Sequence, residues 1–304
     1  MRKEKMNRKN RRAKKLVVCT LLLALLTTSA SIQNAPMVYA EEDYDDEEPE
    51  LIVCYDQQGI AYSTDDWKSF YVYSGKSVTK SDITIPATVD FEGKSYPVTE
   101  VELGAFIGNT AIKTVKIENG IEEIFGSFAN CSNLQKITIP DSVKSILDIT
   151  FYNCSKLEKV TLGSKTKSIG MCAFYNCSKL KSIKIPNSVT TIGDGAFYGC
   201  GLKSVTIPNS VTQIGKSAFK KNSNLTKVTI GKKLKTIGIT AFEQDKKLKS
   251  ITIKSTKLKN SSVGAKALTK TNSKLVIKVP AKKVTAYKKI FKGKGNKTVT
   301  VKKM

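Results

Sequence analysis

The sequence contains no histidine, and its only four arginines all lie within the first twelve residues, at Arg2, Arg8, Arg11 and Arg12. Without an imidazole, the chain cannot use Ser-His-Asp or Cys-His catalysis, a histidine general base or histidine-bound zinc. Without arginine or stacking aromatics in its body, it lacks the side chains typical of dedicated nucleic-acid recognition. Its positive charge therefore comes almost entirely from lysine.

That charge is large and unevenly distributed. The 51 basic and 26 acidic residues give a formal net charge of +25. Residues 232–304 contain 22 lysines against two acids, Glu243 and Asp245. One interpretation is a solvated surface that keeps the protein soluble; the other is electrostatic adherence to an anionic envelope polymer or acidic glycan.

The N-terminus has the pattern of a secretory signal peptide, residues 1–40. A basic segment precedes the apolar run of residues 16–30, and Val38 and Ala40 suit cleavage after Ala40. An uncleaved anchor is the alternative. Cleavage would remove nine basic residues and one acid and leave a net charge of +17. Residues 41–50 then form a leader with eight acids, predicted to be disordered because it is a block of like charge with a proline. The alternative is a calcium loop, but the segment lacks the glycine and the distal glutamate of an EF-hand.

A repeat of 22 or 23 residues dominates the rest of the chain, and its phenylalanines mark the period. These are Phe106, Phe128, Phe151, Phe174, Phe197, Phe219 and Phe242. Each unit reads L-x-x-I-x-I-P followed by V-x-x-I-G-x-x-A-F, most regularly in residues 180–200. A fixed period of this length is typical of a solenoid, in which stacked units complete one another's core.

Within a unit, Ile183 and Ile185 share one face of a strand by period two, while Ser182 and Lys184 share the other. Stacked units thus predict an α/β repeat solenoid with a parallel sheet on one face. The second half of each unit, such as residues 194–198, is long enough for short helical or 3₁₀ turns. We expect a β-rich N-terminal cap with a hairpin over residues 51–104, the repeats over 105–254 and a Lys-rich, mixed C-terminal cap over 255–304.

The unit L-x-x-I-x-I-P-x-S-V-x-x-I-G-x-x-A-F-x-x-C resembles the BspA-like, Treponema-type leucine-rich repeats over roughly residues 83–254. Departures from the pattern are serine in the Asn/Cys position of the general leucine-rich repeat, threonine before one phenylalanine, and glycine for two prolines. These are Ser142, Ser188, Ser210, Thr150, Gly163 and Gly231. The resemblance implies a leucine-rich-repeat fold and an extracellular bacterial protein of an adhesive class, and it supplies no catalytic residues.

Four cysteines recur at one position of successive units: Cys131, Cys154, Cys177 and Cys200. Side chains stacked along a solenoid form a ladder, so they cannot converge on one metal ion, and their spacing exceeds the usual disulfide range. We predict buried thiols, because Asn222 and Asp245 take the neighbouring position in later units. We expect no metal and no cofactor, and the oxidation state of Cys54 and Cys172 stays open.

The outward strand positions from Thr114 onward carry lysine, serine and threonine, with no acid and no aromatic residue. Glycoside hydrolysis needs two facing carboxylates, so we predict no enzymatic activity. The candidate partner-binding residues, as cations and hydrogen-bond donors, are Lys136, Lys159, Lys184, Lys227, Ser182, Thr161 and Thr206. For the threonines, β-propensity on a solvated face is an equal alternative.

These observations predict a secreted, monomeric binding or adhesion module that acts through a concave sheet and a basic C-terminal end. The expected partner is an extracellular protein or an anionic envelope or matrix polymer. We expect no membrane span after signal cleavage and, at most, loose attachment to the cell surface by charge. The alternative is a passive envelope scaffold or spacer without a specific ligand.

Overall fold

The computed structural model describes residues 54–65 and 67–304; the predicted signal peptide (1–40) and acidic leader (41–50) lie outside these residues. The chain forms a parallel-strand solenoid of about nine turns of roughly 23 residues. The N-terminal strands are β1 Cys54–Tyr55, β2 Ala61–Ser63, β3 Phe70–Ser74, β4 Asp82–Ile85, β5 Thr88–Phe91 and β6 Lys94–Val101.

The later strands come mostly in pairs, one of three or four residues followed by one of two. The first group is β7 Thr114–Ile117, β8 Glu123–Ile124, β9 Lys136–Thr138, β10 Ser145–Ile146, β11 Lys159–Thr161, β12 Ser168–Ile169 and β13 Thr191–Ile192. The second group is β14 Ser204–Ile207, β15 Gln213–Ile214, β16 Lys227–Ile230, β17 Thr236–Ile237, β18 Ser250–Ile253, β19 Val276–Val279 and β20 Thr300–Lys303.

The longer strands form the surface that we call the front face. It consists of two parallel sheets, ordered β4-β7-β9-β11 and β14-β16-β18-β19-β20. The two-residue strands form the back sheet, which runs without interruption from β6 through β8, β10, β12, β13 and β15 to β17. The predicted parallel solenoid is therefore confirmed.

The core between the two faces is built from one phenylalanine per repeat. The seven rings are buried and stacked, with neighbouring centroids 5.0 to 5.7 Å apart and planes within 19° of parallel. The inward isoleucines and valines of the front strands pack around this column. Each repeat thus buries its apolar face against its neighbours, which is why the periodic sequence can form a core.

The loops behind the core differ from the expected helical or 3₁₀ turns. They are hydrogen-bonded turns in which most repeats place two residues at positive φ, for example Cys172 at 51° and Asn176 at 57°. Such residues interrupt a right-handed helix, so it cannot propagate. In the described part of the chain, helices occur only near the C-terminus: 3₁₀ turns Asn260–Ser262 and Ala281–Lys283, and α1, Val284–Lys292.

Both ends of the array carry additional structure. At the N-terminus, β1, β2 and β3 pair antiparallel and β3 joins β6 of the back sheet, while β5 and β6 form a hairpin. The side-chain amide of Gln58 donates to the Thr84 carbonyl at 2.8 Å and accepts from its N–H at 2.9 Å, as a neighbouring strand would. At the C-terminus, α1 buries Tyr287, Ile290 and Phe291.

The front sheet is interrupted at residues 181–186, which form no strand. This segment belongs to residues 180–200, the unit with the most regular sequence. The sequence pattern predicted a strand here, so the interruption is a finding of the structure.

Candidate binding surface

Two columns of outward side chains cover the front face, because residues alternate between the core and solvent along each strand. The first column is Asp82, Thr114, Lys136, Lys159, Ser182, Ser204, Lys227 and Ser250. The second is Thr84, Lys116, Thr138, Thr161, Lys184, Thr206, Thr229, Thr252, Lys278 and Lys302. Most of these side chains are exposed, so the face is rich in ammonium and hydroxyl groups.

All seven candidate residues are exposed on this face. The structure brings Lys136 and Lys159 directly opposite each other on adjacent strands, which are about 4.8 Å apart in such sheets. Lys184 lies in the interrupted segment between the two front sheets, and Lys227 lies beyond it on β16. Within the described residues, none of the four lysines forms an ion pair. Their role in binding stays a prediction.

The first turn places one acid on this face that the sequence analysis did not consider, because the front sheet extends back to β4. Hydrogen bonds from Ser81 and Thr114 lower the pKa of Asp82, and the positive charges of Lys113 and Lys136 lower it further. Asp82 is therefore ionised at neutral pH. It makes the N-terminal end of the face less basic than the rest.

The cysteine column is buried, as predicted, and its thiols are free. Each thiol donates to a phenylalanine carbonyl of an earlier repeat at 3.0 to 3.2 Å, as Cys177 does to Phe151. Burial raises the pKa of Cys131 to about 12 and that of Cys177 well above its usual value. These thiols are consequently neutral and serve packing, and the described residues contain no cluster that could hold a metal ion.

A column of tyrosines lies beside the phenylalanine stack and was missed in the sequence. Tyr152, Tyr175 and Tyr198 are half-buried and stacked, with centroids 5.0 and 4.3 Å apart. The Lys221 ammonium lies 5.2 Å from the Tyr198 ring. The signal was present as Phe-Tyr at three successive core positions. Because the three rings stack on one another, a ligand could contact their edges but could not stack on the covered ring faces.

An open groove of about 510 Å³ lies beside β8 and β10, lined by acids and lysines such as Glu122, Glu123, Lys144 and Lys165. Its Asp141 carboxylate accepts hydrogen bonds from the main chain and hydroxyl of Ser164, which lower the pKa of Asp141. The groove is thus a mixed-charge surface feature.

The stacked 23-residue turns, the parallel front strands and the single core phenylalanine of each turn define a leucine-rich-repeat protein. The chain belongs to the BspA-type leucine-rich-repeat family, whose six-copy region matches residues 98–224 and 167–298. No curated protein matches the sequence.

Several solved structures are similar. A T. pallidum leucine-rich repeat protein (TpLRR) is 26% identical over 58% of this chain and 85% of its own, with a TM-score of 0.49. A leucine-rich cell surface protein from Faecalibacterium prausnitzii A2-165 is 18% identical over 85% of this chain and 96% of its own, with a TM-score of 0.43. The pneumococcal vaccine antigen PcpA is 18% identical over 83% and 98%, with a TM-score of 0.37.

Among the described residues, no helix has the length and apolar character needed to span a bilayer. The longest, α1, has nine residues and carries three exposed lysines, Lys288, Lys289 and Lys292. It extends the basic character of the C-terminal end.

Proposed function

We propose that this protein is an exported, monomeric binding module whose front face holds an acidic extracellular macromolecule. The observation that carries the proposal is the concentration of exposed lysines on a face that otherwise bears hydroxyl groups. In the part of the chain that the structure describes, Lys136, Lys159, Lys184 and Lys227 form no ion pair. Such a face attracts anions and offers them hydrogen-bond donors. Membership in the leucine-rich-repeat family supports a binding or adhesive role, and no enzymatic activity is proposed.

The division of the chain follows from this role. Residues 1–40 would direct export, 51–104 and 255–304 would cover the ends of the array, and 105–254 would present the binding face. The basic C-terminal end, with 22 lysines over residues 232–304, would strengthen attachment to anionic envelope polymers. The protein would therefore be secreted and loosely held at the cell surface.

The test compares two variants of equal charge in the chain that begins at Glu41. One replaces the front-face lysines Lys136, Lys159, Lys184 and Lys227 by glutamine, and the other replaces by glutamine four exposed lysines outside both the front face and residues 232–304, namely Lys76, Lys94, Lys167 and Lys216. Binding to poly-L-glutamate is measured by fluorescence anisotropy at low and high salt. We expect the front-face variant to bind about tenfold more weakly, since each exposed ion pair contributes up to about 1 kcal/mol.

The control variant should bind like the native protein. Equal losses in both variants would mean that binding follows net charge alone and that the front face is not the site. The absence of binding at any salt concentration would favour the second candidate, a passive envelope scaffold without a specific ligand.

A further inference from the structure

At the interruption of the front sheet, the main chain of residues 181–186 forms almost no hydrogen bonds to neighbouring strands. Front strands on both sides pair in register, as Lys159 with Lys136 and Ser204 with Lys227. Across residues 181–186 the described hydrogen bonds to neighbouring front strands reduce to one, from the Lys203 N–H to the Lys181 carbonyl at 3.0 Å. The amides of residues 182–185 therefore have no hydrogen-bond partner within the described chain.

The turn that follows this segment lacks one residue. In the other turns, the next leucine comes three residues after the last core position of the repeat, as Leu180 does after Cys177. The Leu180 N–H then donates to the Cys177 carbonyl at 3.0 Å. Leu202 comes only two residues after Cys200. The corresponding hydrogen bond, from the Leu202 N–H to the Cys200 carbonyl, is missing among the described main-chain hydrogen bonds. The approach is so close that a Cβ on Gly201 would lie 2.2 Å from the Ser178 carbonyl oxygen.

The solenoid itself remains continuous at this point. The back sheet passes from β12 through β13 to β15, and the Phe174, Phe197 and Phe219 rings stay stacked at 5.3 Å. The front face is therefore open only locally, while the back sheet and the core hold the two halves together. We call this feature the front opening, formed by residues 181–186 with the adjacent edges of β11 and β14.

Apolar side chains become accessible at the front opening. Ile183 and Leu162 are only partly buried, whereas their counterparts in neighbouring repeats, Val205 and Ile139, are 3% and 2% exposed. Exposed lysines surround this apolar spot: Lys159, Lys181, Lys184 and Lys203. Glu158 is the carboxylate that accompanies them on the front face. An apolar centre within a polar, charged rim is the usual anatomy of a protein-binding hot spot.

We propose that the front opening is the anchor point of the binding face and that it takes an extended acidic peptide segment with an apolar side chain. The apolar side chain packs on Leu162 and Ile183, and the flanking carboxylates pair with the surrounding lysines. Carboxylate oxygens also accept hydrogen bonds from the unpartnered amides of residues 182–185. This inference rests on the proposed function and specifies its partner as protein, since a purely phosphate-based polymer has no apolar group to fill the opening.

Two fluorescein-labelled probes test the proposal: a decapeptide of glutamates with one central leucine, and the same peptide with glutamate at that position. We expect the leucine peptide to bind about fivefold to tenfold more tightly, because partial burial of a leucine side chain contributes about 1 kcal/mol or more. Ile183→Ser should abolish this preference and leave the affinity of the all-glutamate peptide unchanged. Ile239→Ser is the matched control, because Ile239 is 49% exposed outside the front face.

A second variant tests the role of the short turn. A lysine inserted between Gly201 and Leu202 restores the spacing of the other turns and should close the front opening. Hydrogen exchange of the amides of residues 182–185 should then slow by about tenfold or more. The preference for the leucine peptide should disappear at the same time.

Equal binding of both peptides, or a preference that survives Ile183→Ser, overturns the anchor at the front opening and leaves the proposed function standing. If neither peptide binds at any salt concentration, both this inference and the proposed function are wrong. If the insertion variant does not fold, the comparison of Ile183→Ser with Ile239→Ser still decides the question.

Discussion

The column that begins at Cys131 shows what a single position in each repeat must supply. Four thiols there donate to phenylalanine carbonyls, and Asn222 does the same through its side-chain amide at 2.6 and 2.8 Å. The position therefore needs a compact hydrogen-bond donor. Asp245 occupies it in the next repeat, where the carboxyl group can donate only in its protonated form. Its Oδ1 accepts from the Asn222 N–H at 2.8 Å, whereas its Oδ2 has no partner among the described atoms.

We expect Asp245→Asn to stabilise the protein at neutral pH. Burial raises the pKa of Asp245 well above its usual value, so the folded state binds its proton more tightly than the unfolded state. Below about pH 4 the carboxyl is protonated in both states and does not change the free energy of unfolding. As the pH rises from about 4 towards the folded-state pKa, the free energy of unfolding falls. The neutral variant lacks this loss and should gain about 1 kcal/mol or more at pH 7. Urea unfolding at several pH values measures the difference.

The exposed Asp141 is the control for this prediction, with the opposite sign. Hydrogen bonds from Ser164 lower its pKa, so its contribution is present above about pH 4 and is lost as the solution becomes more acidic. Asp141→Asn should therefore leave stability unchanged or lower it at pH 7. A stability difference between Asp245→Asn and the native protein that is the same at pH 4 and pH 7 would contradict the prediction.

At the scale of single elements, the edge of β4 shows how the front sheet begins. Strand β4 opens the array, and an unpaired strand edge is a template for association with another chain. The Gln58 side chain occupies that edge through its two hydrogen bonds to Thr84. Gln58 and Thr84 are 26 residues apart in the sequence, and their contact occupies the edge of β4 so that the sheet ends there.

Removing this side chain should loosen the first repeat. We expect Gln58→Ala to destabilise the N-terminal repeats by about 1–2 kcal/mol, since a half-buried strand edge loses two hydrogen bonds. The Thr84 amide should exchange with solvent more rapidly, which hydrogen-exchange mass spectrometry detects. Gln57→Ala is the matched control, because Gln57 is exposed and its main-chain carbonyl, which accepts from Lys80, remains. Equal protection of the Thr84 amide in both variants would show that the edge does not depend on Gln58.

Across the whole molecule, stability is distributed along one dimension, since each repeat contacts only its neighbours. The phenylalanine column is the element that all repeats share, and its rings stack without a break from Phe106 to Phe242. A defect in the middle of this column should therefore weaken the repeats beside it more than those at the ends.

We expect Phe174→Ala to cost about 3–5 kcal/mol, the usual range for removing a buried phenylalanine. Hydrogen exchange should accelerate first in the strands of the same repeat, β11 and β12, and of the adjacent repeats, β10 and β13, while β18 and β19 keep their protection. Tyr175→Ala is the control, because this half-buried ring lies next in sequence and outside the central stack. A uniform loss of protection along the array would show that the solenoid unfolds as a single cooperative unit.

Several whole-molecule features could be predicted from sequence because they repeat. The period, the inward phenylalanines, the burial of the cysteine column and the exposure of Lys136 and Lys159 all follow from side-chain alternation and a constant step. Features that occur only once could not be predicted, because no repeated pattern in the sequence indicates them. These include the Gln58 contact with Thr84 and the extension of the front face to Asp82.

By itself, the sequence determined the solenoid, since a constant step stacks chemically identical positions and only one architecture buries them together. Tertiary structure alone decided what happens at residues 181–186. Their sequence is the most regular in the chain, yet they form no strand. Strand pairing depends on the positions of both neighbouring strands, so the pattern within one segment does not reveal whether that segment pairs.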